Sequence, residues 1–185
     1  RRLSLPIAMR KTLPQAGDEG LRLLRRIGRV DPGSLEAYRA AGGYRALARA
    51  FELGPAAVVA EVTAAKLVGR GGAAFPTGRK WEAVAAQPSF PHHLICNADE
   101  SEPGTFKDRV LMEEDPFAVI EAMTIGAYAG GCRSGFLYIR GEYPLALQRL
   151  QSAILQARAA NLLGDDILGQ GFRFDIRIYR GAGAY

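Results

Sequence analysis

The 185-residue chain has two cysteines, two histidines and one tryptophan. Cys96 and Cys132 lie far apart and neither has a Cys-x-x-Cys neighbour, so neither a disulfide framework nor a zinc site is supported. Two reduced core thiols are expected instead. His92 and His93 stand without ligand spacing and read as surface histidines. No apolar run approaches the ~20 residues of a membrane span. The first residues contain no 7–15-residue apolar block of a secretory signal, in a stretch that carries Arg1, Arg2, Arg10 and Lys11. The net charge is +5, but the basic residues are scattered and the aromatics are not interleaved with them, so nucleic-acid binding is not expected. Much of the excess lies before Arg29, which suggests a surface-hugging or partner-docking arm.

Apolar residues make up 48% and charged residues 23%, values of an ordinary globular protein with one main core. Glycine, at 22 residues, is abundant and clusters in loops. The densest stretch is Gly69-Arg70-Gly71-Gly72-Ala73-Ala74-Phe75-Pro76-Thr77-Gly78-Arg79-Lys80, which runs into a helix expected from Pro76 to Ala86. Glycines let another molecule approach the main chain, and exposed N–H groups before a helix N-terminus attract anions. Arg70, Arg79 and Lys80 add positive charge, so the stretch reads as a cradle for a phosphorylated ligand or as a tight structural turn. No Gly-Lys-Ser/Thr closes it, so it is not a Walker loop. Phe75 could stack on a nicotinamide or adenine ring, or pack in the core. Trp81 reads as core.

Asp31-Pro32 is expected to start a helix closed by Gly42-Gly43, with further helices from Tyr44 to Glu52 and after Gly54-Pro55. Beyond Ala86 the pattern alternates. A strand is expected at His93–Cys96, a helix from Asp115 to Gly130, and a strand at Gly135–Ile139. A second long helix should span Pro144 to Ala160, followed by a period-two strand at Phe172–Tyr179. The fold class is therefore α/β, a parallel Rossmann-like sheet with crossover helices, preceded by a small N-terminal helical layer. The expected division is 1–66, basic arm and short helices, and 67–185, the α/β domain. Ligands in such sheets bind beyond the carboxyl ends of the strands. That edge should hold Asn97–Thr105, Arg140–Tyr143 and Arg180–Tyr185. The first of these loops packs Asp99, Glu100 and Glu102 together. They could accept hydrogen bonds from ribose hydroxyls, an amide or a flavin N–H edge, or form a solvated turn. The chain lacks an initiating Met and ends on Gly-Ala-Gly-Ala-Tyr, a loop with no following element, so a piece of a longer protein is expected.

Four motifs occur in order: the cradle through Lys80-Trp81, then Asn-Ala-Asp-Glu-Ser-Glu-Pro-Gly-Thr-Phe-Lys-Asp-Arg (97–109), Arg-Gly-Glu-Tyr (140–143), and Arg-Gly-Ala-Gly-Ala-Tyr (180–185). Together, over about Ile27 to Tyr185, they closely resemble the NADH-oxidising flavoprotein subunit of respiratory complex I. The diaphorase parts of NAD-linked hydrogenases and formate dehydrogenases share this module. The resemblance implies FMN cradled by Gly69, Arg70, Gly71, Gly72 and Lys80, with Asn97, Asp99, Glu100 and Ser101 at the flavin. Phe75, Glu102 and Tyr185 would meet NADH. It implies hydride transfer from NADH to FMN and single electrons onward to iron–sulfur clusters in an NADH-quinone oxidoreductase, with no acid–base pair. It further implies a small and a large iron–sulfur subunit as partners, and a place in the peripheral arm on the cytoplasmic side of the membrane, or in the cytoplasm if the dehydrogenase is a soluble one. The alternatives are a formate dehydrogenase or hydrogenase diaphorase, or a non-catalytic assembly module without flavin. A four-iron cluster needs several thiolates and is expected only in a C-terminal part beyond Tyr185; no metal site is expected within these residues. The family usually has glycine where Ala74 stands, and an aromatic that helps hold NADH in some members falls at Ala83.

Overall fold

Residues 92 to 180 form a three-stranded sheet in which the chain returns each time to the same side. β1 (His92–Ala98), β2 (Cys132–Ile139) and β3 (Asp175–Arg180) are parallel and lie in the order β1-β2-β3. This computed structural model describes residues 20–182, so Arg1, Arg2, Arg10 and Lys11 of the expected basic arm, and Tyr185, lie outside the described residues, whereas Arg22, Arg25 and Arg26 of that arm lie within them.

Two long helices form the connections. α6 (Pro116–Gly130) opens with proline at its first turn and ends on Gly131 in a left-handed conformation, φ 69°. α7 (Pro144–Ala159) also starts on proline. Phe117 and Ile120 of α6, and Leu150 and Ile154 of α7, share one core with Leu137, Ile139 and Ile176 from the sheet. The alternate side chains Ile95, Tyr138 and Tyr179 are exposed, so both helices cover the same face.

The N-terminal layer holds α1 (Leu35–Ala40), α2 (Arg45–Leu53) and α3 (Pro55–Ala64). Tyr38, Tyr44 and Leu47 join the core of the α/β part. The first helix starts three residues later than Asp31-Pro32 suggests. Asp31 accepts from Gly33 N (2.9 Å), and Ser34 supplies the cap, accepting from Ala37 N at 3.1 Å. α4 (Thr77–Ala85) follows the glycine stretch and packs on α3 and α6. Gly78 makes that approach possible, because a Cβ there would run into Thr63.

All three strands also differ in extent from the sequence expectations. β1 and β2 extend beyond their apolar runs, since main-chain pairing continues through His92 and Cys132. β3 starts at Asp175, because Phe174 instead pairs with Gly164 in an isolated antiparallel bridge. The inward phase of Phe174 and Ile176 is as expected. His93 is exposed, but His92 is not a surface histidine. It is buried, stacks on Phe90 and places Nδ1 2.9 Å from Gly130 O. Cys132 is buried, Cys96 is partly so, and both are free. Burial, and secondarily the charge of Asp108, push the Cys96 thiol up to about 11, so it is an inert packing group at neutral pH.

Candidate functional site

Ala98, Ile139 and Arg180 lie side by side in the sheet register, so the loops after all three strands leave from one edge. The carboxylate cluster sits here. Its members have different surroundings, which spacing alone does not distinguish.

Glu100 is buried. It accepts hydrogen bonds from Asp108 N (2.9 Å), Arg109 N (3.1 Å) and Tyr143 Oη (3.2 Å), while Arg140 Nη1 donates to its main-chain oxygen at 2.7 Å. Two of those donors are first-turn N–H groups of α5 (Lys107–Glu114), which has no local side-chain cap. Glu100 is thus the cap, supplied from eight residues upstream. The side chain is held inside the protein, where it fixes the loop that carries its neighbours. Burial, and then the Glu100 carboxylate, raise the Tyr143 phenol above its ordinary value.

Asp99 faces otherwise. Asn97 Oδ1 accepts from Asp99 N (3.2 Å), and Ser101 Oγ donates to Asp99 Oδ2 (2.9 Å). Asp99 Oδ1 is buried with no partner. An orphaned buried acceptor carries a desolvation cost of about 1–3 kcal/mol, which a donor from a ligand would remove. Glu102 is exposed on the following turn, where Thr105 N donates to its main-chain oxygen (3.1 Å) and Gly104 takes φ 79°.

The glycine stretch is a loop pinched at its base. Val68 pairs with Pro76, Gly69 N donates to Phe75 O (2.9 Å), and Thr77 N donates to Leu67 O (2.9 Å). Its outer part is open: a Cβ built on Gly71 or Gly72 meets no atom within 4 Å. Gly72 takes φ 95° and Ala74 φ 50°. The left-handed backbone at 74 explains why glycine suits that position, and alanine there costs about 1 kcal/mol. Arg70, Phe75, Arg79 and Lys80 are all exposed, with Arg79 and Lys80 about 6 Å from the Phe75 ring centre (6.0 and 5.9 Å). Phe75 is thus not a core residue. Trp81 is half-buried beside Gly126 and packs against the cluster of Ala50, Val58 and Ala129, tying the cradle helix to α2, α3 and α6.

The structure therefore gathers Asn97, Asp99, Glu100, Ser101 and Glu102 at the sheet edge, and Gly69–Gly72, Phe75 and Lys80 at the head of α4. The two groups share no hydrogen bond or ion pair among the described residues. Arg140 and Tyr143, which the sequence marks only as a strand-end motif, support the acidic loop directly. Gly141 has a structural role that its motif does not announce, since a Cβ there would lie 2.6 Å from Gly181 O. Arg-Gly following two successive strands is the signal, and it marks where those two loops touch.

Residues 62–185 match the Nuo51 FMN-binding domain, which takes in the cradle, the acidic loop and all three strand ends. The chain belongs to this family. An NADH-quinone oxidoreductase subunit of Rhizobium meliloti (strain 1021) is 50% identical over 164 residues, 88% of this chain and 39% of that protein. The HndC subunit of the NADP-reducing hydrogenase of Solidesulfovibrio fructosivorans is 48% identical over 87% of this chain and 33% of its own length. A crystal structure of an NAD+-reducing NiFe hydrogenase in the H2-reduced state superposes with a TM-score of 0.68 at 35% identity, over 89% of this chain and 26% of that one. The chain thus spans about a third to two fifths of the curated relatives it matches. The residues present fit FMN: a loop open at Gly71 and Gly72 beside cationic side chains suits a phosphate, and the unpartnered Asp99 Oδ1 suits a ring or ribityl donor. Among the described residues no cluster of His, Cys, Asp and Glu could hold a metal ion, and no helix is long and apolar enough to cross a membrane.

Proposed function

We propose that this chain forms the flavin- and nicotinamide-binding part of an NADH-oxidising subunit of a respiratory NADH-quinone oxidoreductase. The supporting observation is the orphaned Asp99 Oδ1 at the carboxyl edge of the sheet, in a chain that belongs to an FMN-binding family. FMN supplies the redox chemistry, taking hydride from NADH and releasing electrons singly to iron–sulfur clusters in the rest of the assembly. This chain's residues bind and orient. Gly69–Gly72, Arg70 and Lys80 hold the phosphate end, the loop of Asn97, Asp99, Glu100 and Ser101 holds the flavin, and Phe75, Glu102 and Tyr185 meet the nicotinamide nucleotide. Holding two reactants in register is a major contribution of protein to such a transfer. Partner subunits carrying iron–sulfur clusters, and a position in the peripheral arm of a membrane complex, belong to the same proposal. The hydrogenase relatives favour a second reading, the diaphorase of an NAD-linked hydrogenase, which has the same chemistry and a different electron acceptor.

Gly71→Val tests the cradle. The added side chain meets no protein atom around the Cβ, so the fold should survive. Flavin content at limiting FMN is expected to fall about ten-fold, the equivalent of ~1.4 kcal/mol, with an unchanged melting temperature. Normal FMN stoichiometry would place the cofactor elsewhere.

Nucleotide choice is a separate question, since one relative is named for NADP. Glu102 is exposed and negative, and should repel a 2′-phosphate. Glu102→Gln is expected to narrow the NADH/NADPH ratio of kcat/KM by about five- to ten-fold. An unaltered ratio would remove Glu102 from the nucleotide site.

A further inference from the structure

The net positive charge of this protein lies in its residues before Pro55. Residues 20–54 carry seven arginines against three acidic residues, a net of +4, whereas residues 55–182 carry thirteen basic and fourteen acidic residues, a net of −1. Within the first segment a basin of about 690 Å³ is lined by Arg25, Arg26, Arg29 and Arg45, with Gly42 and Ala46 among the small residues between them. Among the described residues, Arg26 has a close acidic partner: its guanidinium lies 2.7 Å from Asp115 at the head of α6 and over the Tyr38 ring, and Arg25 feels the same carboxylate at longer range. The side chains of Arg25, Arg29 and Arg45 are exposed and make no hydrogen bond or ion pair among the described residues. Three unpaired guanidiniums around one concavity repel one another, and a carboxylate or phosphate between them would relieve this through bidentate hydrogen bonds.

We propose that this basin is a docking site for an acidic peptide segment of a partner subunit. The chemistry around the arginines decides between peptide and nucleotide. Apart from the guanidiniums, the lining is Val30, Ala41, Gly42 and Ala46. It offers no ring for a base to stack on and no side-chain acceptor for a sugar hydroxyl. An extended chain bearing several carboxylates needs only the three forks and room to lie between them. The flavin reading is not required for this inference, because none of these residues belongs to the cradle or the acidic loop.

The test uses the flavin-loaded subunit and a fluorescein-labelled deca-glutamate peptide. Binding followed by anisotropy is expected to weaken about ten-fold between about 0.05 and about 0.3 M salt. It should weaken by about ten-fold or more in the Arg25→Gln/Arg29→Gln/Arg45→Gln variant, since charge-assisted forks are the stronger class of hydrogen bond. Arg26 is retained because it anchors Asp115. A control variant neutralising Arg133, Arg173 and Arg177 should bind as the parent does. Equal losses in both variants, or none in the first, would overturn the proposal. So would ATP or pyrophosphate displacing the peptide at lower concentration than unlabelled peptide, which would assign the basin to a phosphate ligand. In the native assembly, amide exchange across residues 25–30 and 41–46 should be slower than in the isolated subunit. Identical exchange would also overturn it.

Discussion

Glu121→Ala is expected to destabilise the protein by about 4 kcal/mol and to release the N-terminal helices from the sheet before the rest unfolds. Glu121 lies inside α6 and is buried. Its carboxylate accepts from Tyr38 Oη (2.6 Å), Tyr44 N (2.8 Å) and Leu47 N (3.1 Å). The last two are N–H groups at the start of α2, whose N-cap residue Tyr44 has a left-handed backbone and offers no side-chain cap. One side chain thus closes a helix end and fixes the phenol that packs on Phe117. Alanine would leave three buried donors unpaired and a cavity beside Tyr38, at about 1–3 kcal/mol per donor before relaxation. The expected loss corresponds to a melting temperature lower by about 10 °C for a chain of this size. Glu121→Gln keeps one acceptor and should lose about half as much. Urea unfolding monitored at Trp81, with amide exchange on residues 35–53, would read both stages. A change below about 1 kcal/mol would show that water replaces the carboxylate.

The two buried glutamates show what the sequence conceals. Strand–helix alternation, the prolines that open α3, α6 and α7, and the convergence of three strand ends follow from periodicity and turn chemistry, and the structure agrees with each. Glu121 carries no such signal. It sits in an apolar helical run, and its partners are 74 to 83 residues away. α5 is hidden for the same reason, since its cap is Glu100 and not a residue just before Lys107. In the acidic loop the composition announces a cluster, but not which carboxylate faces inward. That division depends on Tyr143 and Arg140 arriving from the far end of β2. The Ser34 cap, by contrast, is legible in the sequence, and Asp31-Pro32 is simply the stronger local pattern.

Glu100→Gln should therefore do what Glu102→Gln does not: lower stability and activity together. A glutamine side chain offers one oxygen where the carboxylate accepts from Asp108 N, Arg109 N and Tyr143 Oη, and its NH2 would face at least one of those donors. One unmade bond and one donor–donor contact cost about 2–3 kcal/mol. The larger consequence is positional. The loop bearing Asn97, Asp99 and Ser101 is tied to α5 and β2 chiefly through Glu100, whose own main-chain oxygen takes the Arg140 bond at 2.7 Å. A shift of about 1 Å in a positioning residue can lower a reaction about a hundred-fold, so the NADH oxidation proposed for the flavin-loaded full-length protein should fall on that order, with kcat affected at least as much as KM. Tyr143→Phe removes one of the three donors and keeps the α5 cap, so it should cost about 1 kcal/mol and leave most of the activity. The Tyr143 phenol supplies a further readout. It is raised by burial first and by Glu100 second, so replacing the carboxylate should move its titration down toward the ordinary tyrosine range, measurable by ultraviolet difference spectra. A Glu100→Gln enzyme with normal stability, full turnover and an unmoved tyrosine titration would mean that the acidic loop is held by its main-chain contacts to Arg140 and Tyr143 without the carboxylate.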